Sequence, residues 1–124
     1  MSAWSPDELE RIARATELRV ASRRSNGSLR PYVTIWVVGV GDELYVRSAH
    51  GPTNGWYRRA KASGAGRIRA GGVERDVSFE EPARSVARAV TAAYHAKYDR
   101  YGPAIVGTVV SPEAEQLTLR IAPR

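Results

Sequence analysis

The sequence predicts an α+β chain that is mainly β: a small antiparallel barrel or strongly curled sheet of six or seven short strands, with helices at one side. Three observations carry this expectation. Short apolar stretches recur, joined mostly as hairpins by Gly- and Asn-containing turns. Helical spacing is confined to a short N-terminal segment, a short central one and a longer late one. Strands and helices do not alternate regularly, which disfavours a doubly wound parallel sheet. A length of 124 residues suits a single domain over 1–124.

The elements follow in order. Ser5-Pro6-Asp7-Glu8 has the pattern of a helix start, with Ser5 as cap, Pro6 at the first helical position and Glu8 closing a capping box. Trp4 and Leu9 are placed to form a hydrophobic staple, and a helix is expected over 6–15. Residues 18–21 predict a strand, followed by a loop that turns at Asn26-Gly27. The run 33–40 is apolar on both faces and predicts one central buried strand. After Gly41-Asp42 a strand over 43–48 sets Leu44, Val46 and Ser48 on one face, with Tyr45 and Arg47 on the other. Thr53 or Asn54 caps a helix over 54–62, which Ser63-Gly64-Ala65-Gly66 stops.

Residues 67–70 and 73–79 predict a hairpin around Gly71-Gly72. In it Val73, Val77 and Phe79 share a face, with Glu74, Asp76 and Ser78 on the solvent side. Arg75 falls on the apolar face, which calls for an edge position or a partner. Pro82 opens the longest helix, 82–100, and Gly102-Pro103 ends it. Residues 105–110 fit either a strand or a helical turn, and Leu117, Leu119 and Ile121 close the chain with a strand.

Composition removes several chemistries. With no Cys there are no disulfides, thiolate metal sites or Cys nucleophiles. The only histidines are His50 and His95, so no metal centre is expected and no Ser/His/Asp order is persuasive. Gly39-Val40-Gly41 lacks the third glycine and the following helix of a dinucleotide fingerprint. The longest apolar run is far short of the roughly 20 residues of a membrane span. The N-terminus has no basic region followed by an apolar stretch, so a cytoplasmic, membrane-free protein is expected.

Charge is the most informative feature. The net charge is +6, and 17 of the 19 cations are Arg. Residues 19–73 carry +8 and the remainder −2. Between Glu43 and Glu74 there is no carboxylate. Genome composition can enrich arginine along a whole chain, but it does not clear acids from one stretch; an anion-binding surface does.

Two groups of residues concentrate that charge. Arg47 and Ser48 end a strand, and Trp56-Tyr57-Arg58-Arg59-Ala60-Lys61 begins a helix after a glycine loop. A helix start offers free N–H groups, and guanidinium forks suit phosphate, so a phosphate on an aromatic ring system fits there. The same spacing also fits an exposed basic helix whose aromatics pack on the core. Arg23, Arg24 and Arg30 around Asn26-Gly27 form a second basic group, either another anion contact or solvated charges. Trp36 reads as core or as a ring-stacking residue, and His50 as a solvated loop residue or a substrate contact.

The segments Ile35-Trp36-Val37-Val38, Leu44-Tyr45-Val46-Arg47-Ser48, Gly55-Trp56-Tyr57-Arg58-Arg59 and Arg67-Ile68-Arg69-Ala70-Gly71-Gly72-Val73 together resemble the domain-of-unknown-function 2255 family over nearly the whole chain. More distantly the chain resembles the pyridoxamine-phosphate-oxidase-like split-barrel flavoproteins and their deazaflavin-dependent nitroreductase relatives. That resemblance implies a split β-barrel of about six antiparallel strands, a homodimer, and FMN or a deazaflavin near the subunit interface. It implies phosphate contacts from Arg47, Ser48, Arg58, Arg59 and Lys61; Arg23, Arg24, Gly27 and Arg30 resemble the basic glycine hairpin of the deazaflavin branch, which implies cofactor binding by the three arginines. Two motifs depart from the relatives: their Ser/Thr-Lys pair is Trp56-Tyr57-Arg58 here, and the asparagine-leucine pair of the nitroreductase branch is Arg59-Ala60.

The function expected is that of a flavin- or deazaflavin-binding oxidoreductase-like protein, in which the cofactor does the redox chemistry. Trp36, Trp56 or Tyr57 would flank the ring, and Tyr45, His50 or Tyr57 would contact substrate. The alternatives are a basic nucleic-acid-binding module and a non-catalytic ligand-binding dimer.

Overall fold

The computed structural model describes residues 3–124. Helix α1 spans Pro6–Arg14. The Glu8 N–H donates to Ser5 Oγ at 3.1 Å and the Ser5 N–H to Glu8 Oε1 at 3.2 Å, a complete capping box. Trp4 and Leu9 both pack into the core, and Trp4 Nε1 donates to Ile121 O at 3.1 Å, anchoring this end of the chain. Ser5→Ala is expected to cost about 1 kcal/mol, read as a lower urea midpoint at unchanged slope.

Seven strands follow: β1 Leu18–Ser22, β2 Val33–Ile35, β3 Val38–Val40, β4 Glu43–Arg47, β5 Ala65–Ala70, β6 Val73–Glu80 and β7 Thr118–Pro123. They form one antiparallel sheet in the order β2-β1-β5-β6-β7-β4-β3, curled into a split barrel with flanking helices. Between β4 and β5 lies α2, Gly55–Ser63, stopped by Gly64 at φ 69°. Between β6 and β7 lie a 3₁₀ turn Arg84–Val86, α3 Ala87–Tyr98, a second 3₁₀ turn Asp99–Tyr101, α4 Pro103–Val110 and α5 Pro112–Glu115. The β5–β6 hairpin turns on Gly71 and Gly72, whose φ values of 56° and 82° suit a type I′ turn. Arg75 has the partner its position demanded: its Nη1 lies 2.7 Å from Glu8 Oε1, and its guanidinium sits over the Trp4 ring.

The run 33–40 is not one central strand. It breaks at Trp36-Val37 into β2 and β3, which form the two opposite ends of the sheet. Val33 and Thr34 are exposed, and from Ile35 onward the two faces are covered by different layers. Ile35 and Val37 join the inner core with Leu18, Leu44, Val46, Ile68, Val77, Leu119 and Ile121. Trp36, Val38 and Val40 join a second core, with Tyr45 of β4, Val90, Tyr94 and Tyr98 of α3, and Val106 and Val109 of α4. Helix α3 ties this junction down: the Val37 N–H donates to Tyr98 Oη at 3.3 Å, and Lys97 Nζ donates to Val37 O at 2.6 Å.

One helix boundary shifts, and one open reading resolves to helix. Ala83 has extended backbone, so the late helix starts as a 3₁₀ turn at Arg84 rather than at Pro82. Residues 105–110 are helical, because Gly102 at φ 99° breaks the chain direction and Pro103 starts a new helix at its first position.

Candidate anion-binding cleft

The loop arginines seen in the sequence meet Arg58 and Arg59 of the other basic group. The β1–β2 loop and α2 enclose a cleft of about 840 Å³, within the usual range for small-molecule sites. Arg23, Arg24 and Arg30 line it from the loop, and Arg58 and Arg59 from α2. No carboxylate lines it among the described residues.

The loop is a tight hairpin. The Arg24 N–H donates to Ser28 O at 2.8 Å, the Gly27 N–H to Arg24 O at 2.9 Å, and the Arg30 N–H to Ser22 O at 2.9 Å. Asn26 Oδ1 accepts the Ser28 N–H at 3.0 Å, the turn chemistry its sequence suggested. Gly27 takes φ 88°, where a side chain would be strained. Arg24 Nη1 donates back to Leu29 O at 2.9 Å. Arg23 bridges the tip and the sheet, with Nη1 donating to Gly27 O at 2.7 Å and Nη2 to Asp76 Oδ1 at 2.8 Å.

Helix α2 presents one stripe to the cleft. Gly55, Arg58, Arg59 and Ala62 lie at i, i+3, i+4 and i+7, the spacing of one helical face. Trp56, Tyr57 and Ala60 fall on the opposite face, buried in the inner core. Asn54 occupies the N-cap but makes no side-chain capping bond, and the first turn holds no acid. The helix start therefore keeps its positive dipole end free for an external anion. A Cβ at Gly55 would come within 3.2 Å of Arg59 Nη1, so that guanidinium lies back over the first turn.

Three of the five guanidiniums are free to bind. Arg58 and Arg59 are exposed and, among the described residues, their side chains have no ion-pair or hydrogen-bond partner. Among the described residues Arg30 Nε is buried with no hydrogen-bond partner. A buried unpaired donor is costly and calls for an acceptor supplied from outside.

The other predicted site residues lie elsewhere. Arg47 is 2% exposed and faces the second core, not the cleft. Its donors are engaged by Thr118 Oγ1, Thr91 Oγ1, Val109 O and Ala87 O at 2.8–2.9 Å. The reason is geometric: Arg47 lies on the same face of β4 as Tyr45, the face covered by α3 and α4. Ser48 is buried, and its Oγ donates to Gly51 O at 2.7 Å. Lys61 pairs with Glu81 at 2.9 Å on the outside of α2, and that carboxylate holds its pKa above the ordinary lysine value. Trp56 and Tyr57 touch edge-to-face inside the core, so neither offers a flat surface to the cleft. Tyr45 is buried, which pushes its hydroxyl pKa up. Trp36 stacks on Tyr98 at 3.9 Å. His50 is exposed in the loop ahead of α2, and of the predicted substrate contacts it alone faces solvent.

One contributor escaped the sequence reading. Asp76 is not a plain solvent-facing residue, since its carboxylate takes both Arg23 and Arg67. Arg67 first, then Arg23, holds that carboxyl below its ordinary range. The signal was present in the hairpin: a two-residue turn at Gly71-Gly72 sets Arg67 directly opposite Asp76.

Among the described residues no three His, Asp or Glu side chains cluster as metal ligands, and no helix is long and apolar enough to cross a membrane.

The fold is shared with solved structures that are each under 25% identical to this chain. The chain is similar to an F420 reductase, at 18% identity with TM-score 0.58, covering 93% of this chain and 90% of that one. It is also similar to the FAD and heme binding protein from Mycobacterium smegmatis, at 18% identity with TM-score 0.54, covering 95% of this chain and 65% of that one. A comparison with curated protein sequences finds no match. Residues 8–121 match the family described as "Uncharacterized protein conserved in bacteria (DUF2255)", and the chain belongs to that family.

Proposed function

We propose that the cleft between the β1–β2 loop and α2 binds the phosphate-bearing part of FMN or a deazaflavin, and that the protein is an oxidoreductase-like cofactor-binding protein. The observation that carries this is the orphaned Arg30 Nε, set among four further guanidiniums in a cleft without a carboxylate. The fold supports it, because two similar structures are described as an F420 reductase and an FAD and heme binding protein.

The donor set fits such a group. Arg30, Arg58 and Arg59 offer charge-assisted, forked hydrogen bonds, and the start of α2 adds backbone N–H groups and a dipole. Arg23 and Arg24 shape the wall, since their own donors are already partly engaged by Gly27, Leu29 and Asp76. A bound flavin or deazaflavin supplies the electron or hydride chemistry. The chain binds and orients it.

The test is the absorption spectrum of the purified protein together with thermal-shift titrations with FMN and with a deazaflavin. Binding raises the melting temperature with ligand concentration by mass action. A colourless protein whose melting temperature moves with neither ligand overturns the proposal.

A further inference from the structure

Asp76 stands on β6, outside the lining of the cleft, and is the only acid that touches one of the cleft arginines among the described residues. Its Oδ1 accepts from Arg23 Nη2 at 2.8 Å, and the same guanidinium donates through Nη1 to the carbonyl of Gly27 at 2.7 Å. Gly27 is at the tip of the β1–β2 loop and lines the cleft. A chain of contacts thus runs from the sheet through Asp76 and Arg23 to the loop tip. Arg67, opposite Asp76 in the β5–β6 ladder, donates to the same Oδ1 at 2.9 Å and holds the carboxylate from the far side.

The remaining ties of the loop lie at its base. The Arg23 N–H donates to Ala65 O at 3.0 Å and the Arg30 N–H to Ser22 O at 2.9 Å. Residues between them depend on turn bonds within the loop, on the Arg24 side chain inside it, and on the Arg23 side chain, which alone carries a bond on to Asp76 of the sheet among the described residues.

We propose that Asp76 is a positioning residue for the anion cleft: through Arg23 it holds the loop tip in place, so that a negative charge beside the cleft strengthens anion binding. This rests on the reading that the cleft binds a phosphate-bearing group. It also reverses the sign of the simple electrostatic expectation. Through space, removing a carboxylate near a basic cleft favours an anion. Through position, removing it frees Arg23 and lets the loop tip move, and preorganised donors bind better than mobile ones.

The experiment measures binding of inorganic pyrophosphate to wild type, Asp76→Asn and Asp76→Glu by calorimetry, with amide exchange of residues 24–29 followed in each. Asp76→Asn is expected to weaken binding by roughly five- to tenfold and to speed exchange of the Gly27 and Ser28 amides, with β5 and β6 amides unchanged. Asp76→Glu, which keeps the carboxylate, is expected to recover most of the affinity. Equal or tighter binding by Asp76→Asn, or unchanged exchange in the loop, overturns the inference. Wild type that binds neither pyrophosphate, FMN nor a deazaflavin overturns the cleft reading and this inference together. Binding of pyrophosphate without either cofactor overturns only the cofactor.

Discussion

Replacing Arg47 with alanine is expected to destabilise the protein by about 3–5 kcal/mol and to leave anion binding at the cleft unchanged in the folded protein. From β4, Arg47 reaches three other elements: Thr118 on β7, Thr91 and Ala87 on α3, and Val109 on α4. Thr91 in turn donates to Glu115 at 3.2 Å, so the buried cation has its counter-charge one hydroxyl away. Alanine leaves a cavity and strips the buried carbonyl of Val109 and the half-buried carbonyl of Ala87 of this donor. Unsatisfied buried acceptors cost about 1–3 kcal/mol each. Burial lowers the guanidinium pKa, the largest influence on it, and the Tyr94 ring lies 5.6 Å away. Methionine at this position refills the volume without restoring those bonds, and is expected to recover only part of the loss. Urea denaturation followed by two probes measures both. A variant of native stability with lost cofactor binding would instead assign Arg47 to the phosphate.

The second large effect concerns Arg58 and Arg59. Their joint replacement by glutamine is expected to weaken binding of the phosphate-bearing ligand by roughly 100-fold, at about 1.5 kcal/mol for each charge-assisted hydrogen bond. Both side chains are exposed and lack partners among the described residues, so stability should stay within about 0.5 kcal/mol of wild type. Lys61→Gln, one turn further along, is the contrast: that ammonium faces Glu81 rather than the cleft, and affinity should change little. Titrations at low and high salt separate the contributions, because the arginine-dependent share is screened. Equal losses from all three positions would place the anion on the outside of α2.

Local signals in the sequence translated directly into structure. Ser5 and Glu8 close their box, Gly64 ends α2, and Gly71-Gly72 set the hairpin and its pairing. What failed was the inference from a covered face to the layer that covers it. The alternation of β4 separates Leu44 and Val46 from Tyr45 and Arg47, but nothing within the strand says that α3 and α4 pack on the second face. The 33–40 run shows the same limit, since its two halves pair with strands far apart in sequence. For the site, missing acids located the basic surface, and strand pairing joined its two parts: β1 beside β5 brings the loop to the end of α2. Helical spacing within 55–62 already separates Arg58 and Arg59 from Trp56 and Tyr57. Treating those four as one aromatic-basic patch obscured that division.

The break at Trp36-Val37 bears on how this chain behaves among other copies of itself. An exposed strand edge is a template onto which a second chain can add. Here both edges of the sheet belong to three-residue strands, and those two strands are successive parts of one bent segment. An intruding strand could match three residues before the backbone turns away, and Tyr98 and Lys97 pin the turn from above. The bent segment thus also denies the sheet a long free edge onto which another copy could add.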